Sequence, residues 1–203
     1  MIMNEIIDHY DKLIDENNDP VNDPKPLKDY MDKWDGQRFI DSMLLDKDKS
    51  VLEIGVGTGR LAIKTAPLCK SLLGIDISRK TIRRASENLT LHRNVRLVCG
   101  DFSSFEFSER FDVIYSSLTF MHIEDKSSAI KKIASLLQNN GLFVLSIDKS
   151  QNVFIDMGTR KVKIYPDNPT DICRFILESN LKLIEKFETE HAHVIISQKV
   201  SLV

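Results

Sequence analysis

Three glycines, Gly55, Gly57 and Gly59, alternate with other residues directly after an apolar run that begins at Val51. Glycine has no Cβ atom, so it adopts positive φ angles and lets a ligand approach the backbone closely. A helix that starts after such a turn adds the N–H groups of its first residues as hydrogen-bond donors. The pattern therefore predicts a cradle for a small ligand between a buried strand and a helix, with Glu53 near the end of the strand.

Two acidic residues follow the next two apolar runs. Asp76 ends the second run, 19 residues after Gly57, which is the spacing at which an acid reaches the hydroxyl groups of a ribose. Capping of the next helix is the alternative role for Asp76, but Ser78 can provide that cap. The third run ends at Cys99 and leads through one glycine into Asp101. In a parallel sheet, both acids would lie at the same edge as the glycine turn.

The glycine turn differs from the GxGxxG pattern of dinucleotide-binding proteins, because Arg60 occupies the position of the third glycine. An acid followed by GxGxG resembles motif I of the class I S-adenosylmethionine-dependent methyltransferases. The resemblance covers residues 50–148 and, in arrangement only, the C-terminal strands. It implies S-adenosylmethionine as cofactor and S-adenosylhomocysteine as product. It also implies cofactor contacts from Glu53, Gly55, Gly57, Gly59, Asp76, Ile77, Asp101, Phe102, Ser116 and Ser117.

Under this resemblance, each motif has an expected part of the cofactor. Asp76 would accept hydrogen bonds from the ribose diol, and Asp101 would accept one from the adenine amino group. The backbone amide of Phe102 would bond to adenine N1. Glu53 and the glycine turn would hold the methionine end.

The segment after the fourth apolar run is the expected entry for a methyl acceptor, since open α/β sheets bind ligands beyond the carboxyl ends of their strands. Residues 117–122 resemble the loop of small-molecule methyltransferases that carry a histidine soon after this strand. His122 is the candidate general base, and packing against a helix is the alternative. The segment lacks the Asp/Asn-Pro-Pro-Phe/Tyr tetrapeptide of enzymes that methylate amines of DNA bases or protein amides. We therefore expect a small-molecule acceptor and no nucleic acid.

Three other functions stay open from the sequence. An NAD(P)-dependent oxidoreductase shares the turn and the ribose acid, but Arg60 and the absence of a Tyr-x-x-x-Lys pair disfavour it. Aminopropyl transfer would call for an acidic pocket after the fourth strand, where Ser116, Ser117 and Leu118 supply no acid. No residue of the sequence excludes a third alternative, a non-catalytic protein that binds S-adenosylmethionine.

The composition is that of one globular domain, with 203 residues, 42% hydrophobic and 29% charged. The net charge of −2 hides an acidic segment at residues 1–48, which has thirteen acidic and six basic residues. Such a segment would repel phosphate backbones, although a solvated helix surface is the simpler interpretation. The basic cluster of Arg79, Lys80, Arg83 and Arg84 is likewise expected to be a solvated face.

Neither a disulfide framework nor a metal site is expected. Cys69, Cys99 and Cys173 are odd in number and far apart, and His191 and His193 have no carboxylate or thiol beside them at ligand spacing. No basic region precedes an apolar run at the N-terminus, and no stretch approaches the roughly 20 apolar residues that span a bilayer. We expect a cytoplasmic protein with no membrane segment.

Helical spacing of apolar residues predicts a helix over 2–16, followed by a linker over 17–26 and one or two helices that Gly36 interrupts. Aromatic faces attract cations. Tyr10, Tyr30 or Trp34 could therefore cap the sulfonium or the substrate, with core packing as the alternative.

From residue 50, short apolar runs alternate with amphipathic stretches, which is typical of a parallel sheet covered by helices. Residues 181–188 and 194–199 lie too close in sequence for a crossover and must pair antiparallel at an edge. Together with the resemblance, this predicts an α/β fold with a Rossmann-like, seven-stranded, mostly parallel sheet, an antiparallel C-terminal edge hairpin and helices on both faces. Residues 49–203 would form this domain and residues 1–48 an N-terminal helical cap. The predicted strands are 51–54, 71–75, 95–99, 111–115 and 142–147. The predicted helices are 58–66, 78–90, 126–138 and 169–179. A helix cap and turn are expected at 139–141, and a small hairpin at 153–165.

Overall fold

The computed structural model describes residues 2–200. The strands are β1 (Ser50–Ile54), β2 (Ser71–Asp76), β3 (Val95–Cys99), β4 (Phe111–Ser117), β5 (Leu137–Asp148), β6 (Phe154–Asp156), β7 (Lys161–Lys163), β8 (Leu181–Glu188) and β9 (Ala192–Lys199). The helices are α1 (Ile2–Asp15), α2 (Lys25–Met31), α3 (Gly36–Asp41), α4 (Ala62–Thr65), α5 (Arg79–Asn88), α6 (Lys126–Leu136) and α7 (Pro169–Glu178). None of the described helices has the length and apolar character that crossing a membrane requires.

Seven strands form one sheet in the order β3-β2-β1-β4-β5-β9-β8. Strands β1 to β5 pair in parallel, whereas β9 is antiparallel to β5 and β8 is antiparallel to β9. Only residues 189–191 join β8 to β9, and a parallel pair would need a much longer crossover. The predicted Rossmann-like sheet with its antiparallel C-terminal edge is confirmed, and β6 and β7 form the predicted hairpin.

Helices cover both faces of the sheet because its central strands are buried on both sides. Successive residues of a strand point to opposite faces, so Val51 and Leu52 of β1 belong to different apolar clusters. Leu52 packs with Ile130 of α6 on one face. Val51 packs with Phe39 of α3 and Ala85 of α5 on the other.

The helix after the glycine turn is shorter than the predicted 58–66. It begins only at Ala62, because Gly57 and Gly59 have φ angles of 55° and 96° and lie outside the right-handed helical region. It ends at Thr65, after which a 3₁₀ turn contains Pro67. Proline has no N–H group to continue the hydrogen-bond ladder of an α-helix.

The predicted helix cap at residues 139–141 lies inside a strand instead. Helix α6 ends at Leu136 and β5 begins at the next residue. Phe111 pairs with Leu137, but Val113 already pairs with Leu142, so extra residues of β5 bulge out of the ladder with β4. The turn that the sequence suggests is therefore an irregularity within β5.

Most charged side chains of the acidic N-terminal segment and of the basic cluster on α5 are exposed, as predicted, but the two also contact each other through two ion pairs. Lys80 of α5 pairs with Asp15 of α1 at 2.7 Å. Arg84 pairs with Asp19, in the loop after α1, at 3.3 Å, and Asp19 is buried. Opposite charges thus fasten α1 and the following loop to α5.

Replacing Ile130 by alanine tests the core beneath α6. Its side chain is 0% exposed, so the truncation leaves a cavity and should lower the free energy of unfolding by about 2–5 kcal/mol. Urea denaturation followed by circular dichroism measures this loss. Leu91→Ala is the control, because Leu91 is 91% exposed, and should change the value by less than about 0.5 kcal/mol. Equal stability of the two variants would contradict the buried position of Ile130.

Candidate active site

A cavity of about 740 Å³ lies at the carboxyl ends of β1, β2, β3 and β4. Its volume is within the range of roughly 300–1,000 Å³ that small-molecule sites have. Helix α1 contributes Met3, Ile6 and Tyr10 to the opposite wall. Of the ten predicted cofactor residues, all except Gly59 and Ser116 line this cavity.

The glycine turn leaves room for a ligand at one position. A Cβ atom on Gly57 would meet no atom within 4 Å, and its φ of +55° disfavours other residues. Gly55 has a different task, since a Cβ there would lie 1.9 Å from the Thr119 hydroxyl oxygen. Gly59 is not among the residues that line the cavity, and a Cβ there would lie 3.0 Å from Leu89. Gly59 therefore permits packing, and the assignment of Gly59 to the ligand wall is corrected.

Asp76 is held at the cavity by backbone groups. Its Oδ2 accepts a hydrogen bond from the Gly57 N–H at 3.1 Å, and its Oδ1 accepts one from the Ser78 N–H at 3.0 Å. Burial raises the pKa of Asp76, although these hydrogen bonds oppose the effect. The Ser78 hydroxyl accepts from the Thr81 N–H and caps α5, so Asp76 itself does not cap the helix.

Asp101 and Phe102 form the wall after β3. Asp101 accepts hydrogen bonds from the backbone N–H groups of Ser103 and Ser104 at 3.0 and 3.2 Å, which stabilise the turn. Phe102 is buried, and the Lys132 ammonium lies 5.3 Å from the centre of its ring. The two residues therefore place a carboxylate and an aromatic face side by side.

Glu53 is a buried acid in the cavity wall. The Tyr115 hydroxyl donates to its Oε2 at 2.7 Å, and Thr65 lies 2.8 Å from the same hydroxyl. Burial raises the pKa of Glu53 to about 8, against the smaller opposing effects of the Tyr115 hydrogen bond and the nearby Arg60. Across residues 2–200, no cation forms an ion pair with Glu53.

Arg60 is a further charged group at the cavity, and its position there is not apparent from the sequence. Arg60 forms ion pairs with Asp35 and Asp32, two acids between α2 and α3. Asp35 also accepts a hydrogen bond from the Ser117 hydroxyl at 2.8 Å. The partners of Arg60 stand 25 and 28 residues away, and the only local signal is an arginine where dinucleotide-binding proteins have glycine.

His122 and Tyr10 meet across the cavity wall. The Tyr10 hydroxyl lies 2.7 Å from His122 Nε2. Burial lowers the pKa of His122 to about 4, with smaller effects from His9 and Lys126. Burial also raises the pKa of Tyr10 above its usual range. Both side chains are therefore neutral near pH 7, and His122 Nδ1 is buried without a hydrogen bond to any described residue.

Ser116 does not reach the cavity. Its hydroxyl is fully buried and donates to the Ile54 carbonyl at 2.9 Å, across the β1–β4 pair. Side chains alternate along a strand, so only its neighbour Ser117 faces the wall. The assignment of Ser116 to the cofactor is therefore corrected.

Tyr30 and Trp34 also lie outside the cavity wall, which corrects their assignment as caps. Their rings pack against each other at 5.3 Å, and Trp34 packs against His191 at 4.6 Å. The Ser146 hydroxyl donates to the Trp34 carbonyl at 2.5 Å, which anchors this segment to β5. Among the three aromatic candidates, the cavity contains only Tyr10. The described His, Cys, Asp and Glu residues include no group of three that could hold a metal ion.

The fold and the cavity define a Rossmann-like α/β protein with a small-molecule site at the strand ends. Residues 52–145 match the model of a methyltransferase domain. An uncharacterized methyltransferase of Bacillus licheniformis is 32% identical over 171 residues, which are 81% of this chain and 71% of that protein. The chain belongs to the class I S-adenosylmethionine-dependent methyltransferases.

Other relatives match over a shorter stretch. An uncharacterized methyltransferase of Anoxybacillus flavithermus is 36% identical over 121 residues, and the match covers 58% of this chain and 56% of that protein. The match to a Bacillus cereus relative, 37% identical, covers 48% of this chain and 46% of that protein. The chain thus spans about half the length of these two relatives.

Solved structures share the fold. Magnesium protoporphyrin IX methyltransferase from Synechocystis, solved with bound S-adenosylmethionine, superposes with a TM-score of 0.75 at 18% identity, covering 98% of this chain and 97% of that one. The N-methyltransferase NodS from Bradyrhizobium japonicum, in complex with S-adenosylhomocysteine, gives 0.71 at 19% identity and covers 95% and 98%. At this identity, the likeness concerns the fold alone.

The buried acid Glu53 makes a prediction about pH and stability. A carboxyl whose pKa rises from 4.5 to about 8 on folding stabilises the fold below pH 4.5, and this contribution is lost as the pH rises through about 8. Between about pH 5 and pH 9, the free energy of unfolding should therefore fall more in the wild-type protein than in Glu53→Gln. Each unit by which folding raises the pKa of Glu53 corresponds to about 1.4 kcal/mol in the free energy of unfolding.

Urea denaturation at the two pH values measures this effect. Glu178→Gln is the control, because Glu178 lies on the exposed side of α7 with its side chain 48% exposed, and it should follow the wild-type protein. Parallel pH dependence of the wild-type protein and Glu53→Gln would show that Glu53 is not a buried acid of raised pKa.

Proposed function

We propose that this protein transfers the methyl group of S-adenosylmethionine to a small-molecule acceptor. The observation that carries the proposal is the open space at Gly57, beside the buried carboxyl of Glu53 and the half-buried carboxyl of Asp76 in one cavity. Gly36 and Gly158 also combine a positive φ angle with open space, but only Gly57 among these three lies in the cavity wall with the two acids. Family membership supplies the cofactor that suits this donor set.

Each wall residue has a part of the cofactor that it suits. The Asp76 carboxylate would accept hydrogen bonds from the ribose hydroxyls, and Ile77 would line the same part of the site. Asp101 accepts a hydrogen bond from the adenine amino group, and the Phe102 N–H donates to adenine N1. Glu53 and the backbone of the glycine turn face the methionine end. These roles use the polar groups that the wall presents to the cavity.

When it is bound, the sulfonium of the cofactor makes its methyl group electrophilic. The protein then mainly has to align a nucleophile behind that carbon. Ser117 and His122 follow β4 in the cavity wall, and the acceptor enters beside them. His122 is unprotonated near neutral pH, because burial lowers its pKa to about 4. With Nε2–H donating to the Tyr10 hydroxyl, Nδ1 is the ring nitrogen that would accept the proton of the nucleophile, and Tyr10 orients the ring.

A small acceptor fits the enclosure of the cavity. Helix α1 contributes apolar residues such as Met3 and Ile6 to the wall that faces the strand ends. A nucleic acid strand would have to displace this helix, and the acidic residues of the N-terminal segment would repel its phosphates.

Calorimetric titration with S-adenosylmethionine, S-adenosylhomocysteine and NADH tests the proposal. We expect micromolar binding of the first two and none of NADH, followed by turnover in a screen of small methyl acceptors. Binding of NADH alone would indicate a nicotinamide cofactor and overturn the proposal. Tight binding of S-adenosylmethionine without turnover on any acceptor would indicate a binding protein.

Asp76→Ala tests the ribose contact. Loss of a hydrogen bond to a charged group, worth about 1.5–3 kcal/mol, should weaken S-adenosylhomocysteine binding at least tenfold. Calorimetry measures the affinity, and a urea denaturation curve verifies that the variant is folded. Asp171→Ala, at the start of α7 and outside the cavity wall, should bind as the wild-type protein does. An unchanged affinity of Asp76→Ala would remove Asp76 from the site.

A further inference from the structure

One part of the cavity wall is built by two segments that are distant in sequence. Met121, His122 and Glu124 follow β4, and Tyr165 follows β7. The Tyr165 N–H donates to the Met121 carbonyl at 2.8 Å, and the Tyr165 hydroxyl donates to Glu124 at 3.1 Å. None of these four residues has a proposed contact with the cofactor. They bound the space that the acceptor would occupy, and we call them the acceptor wall.

Lys126, the first residue of α6, joins the two segments of the acceptor wall. Its ammonium nitrogen Nζ donates to the carbonyls of Phe120, Ile123 and Tyr165 at 2.9, 3.0 and 2.8 Å. An ammonium group has three N–H donors, so these three carbonyls engage all of them. Asp167 Oδ1 lies 2.8 Å from the same nitrogen and supplies the negative counter-charge. The side chains of Lys126 and Asp167 are only 10% and 2% exposed.

The carbonyls that Lys126 binds lie on both sides of His122. Phe120 begins the 3₁₀ turn that His122 ends, and Ile123 is the next residue. The ammonium thus fixes both ends of this turn, and with them the direction of the His122 ring toward Tyr10. Lys126 itself does not line the cavity. It can act on a ligand only through the residues that it holds.

We propose that Lys126 is a positioning residue for methyl transfer, which holds His122 and Tyr165 against the acceptor through three backbone carbonyls. Asp167 balances its charge. The inference rests on the proposed function, which gives His122 its contact with the nucleophile. An ammonium suits this task, because hydrogen bonds from a charged donor are stronger than those from a neutral one. Its three hydrogens can also reach carbonyls of separate segments.

The double variant Lys126→Met with Asp167→Asn tests the proposal. It removes the three hydrogen bonds, conserves the net charge and leaves no buried charge without its partner. NMR spectra of protein labelled with ¹⁵N-histidine observe the ring of His122. Comparison with His122→Gln assigns the signals of this ring among those of the five histidines.

The His122 ring should respond to the double variant in two ways. In the wild-type protein, burial lowers the pKa of His122 to about 4, and the Tyr10 hydroxyl shields the Nε2–H group from water. A turn without its anchor would admit water to the ring. We therefore expect the pKa of His122 to rise by at least about one unit, toward the value of about 6.5 of a solvated histidine. The Nε2–H signal should weaken through faster exchange with water. His9, Tyr10 and Glu124, the other titratable groups near the ring, are unchanged in the variant.

Binding of S-adenosylhomocysteine distinguishes a local effect from a general one. Its proposed contacts lie at the ends of β1, β2 and β3, away from the acceptor wall. The affinity of the double variant should therefore stay within about threefold of the wild-type value, as for sites that share no partners. Calorimetry measures this affinity and needs no methyl acceptor.

Two single variants complete the test. Lys163→Met is the matched control, since Lys163 is exposed and its Nζ lies 5.1 Å from the centre of the Tyr165 ring. The His122 signals of this control should match those of the wild-type protein. If the double variant does not fold, Lys126→Arg takes its place, because a planar guanidinium keeps the charge but cannot direct its hydrogens to the same three carbonyls. The same shift of the His122 signals is expected there.

The outcomes separate this inference from the proposed function. An unchanged pKa and an unchanged Nε2–H signal of His122 in the Lys126 variant would overturn the inference, while the proposed function stands. Loss of S-adenosylhomocysteine affinity in the same variant would show a general structural role of Lys126 and would overturn it as well. If the wild-type protein did not bind S-adenosylhomocysteine, the proposed function itself would fail, and this inference with it.

Discussion

The site depends on how the turn after β1 is tied to the end of β2. The Gly55 and Val56 N–H groups both donate to the Ile75 carbonyl, at 2.9 and 3.0 Å, and the next glycine donates to Asp76. These hydrogen bonds hold the turn against β2, and in this position the backbone leaves open space at Gly57. The positive φ angles of the turn make this path accessible to glycine and costly for other residues. The ligand wall is therefore built mainly from backbone, and side chains complete it.

Ion pairs dock the N-terminal segment on the domain that carries the glycine turn. Three acids of the segment have basic partners outside it, because Asp15 and Asp19 pair with residues of α5 and Asp35 pairs with Arg60. Two of these three acids are buried. A buried carboxylate needs a partner, so such pairs specify where the segment docks. Asp15 and Asp19 of the segment and Lys80 and Arg84 of α5 thus form one charged contact between the two.

The parts of the fold and site that follow from local patterns could be predicted. The parallel strands, the glycine turn and the acids that follow it are adjacent in sequence, and their order identifies the sheet edge. Contacts between distant segments could not be predicted in this way. Asp35 and Arg60 share no motif, and no periodicity shows that Trp34 packs on His191 rather than over the ligand. The late start of α4 depends on φ angles that a string of glycines permits but does not dictate.

The docking of α1 also has a consequence for rates. The helix lies across the cavity, and its pair with Lys80 at Asp15 is exposed on both sides. Exposed ion pairs add little to stability and are screened by salt. The free energy needed to detach the helix therefore comes mainly from the apolar contacts of residues such as Ile6. For a ligand that enters or leaves beneath α1, detachment of the helix would limit the rate. Ionic strength would therefore change the speed of cofactor exchange only slightly, whereas truncation of an apolar contact such as Ile6 would change it more.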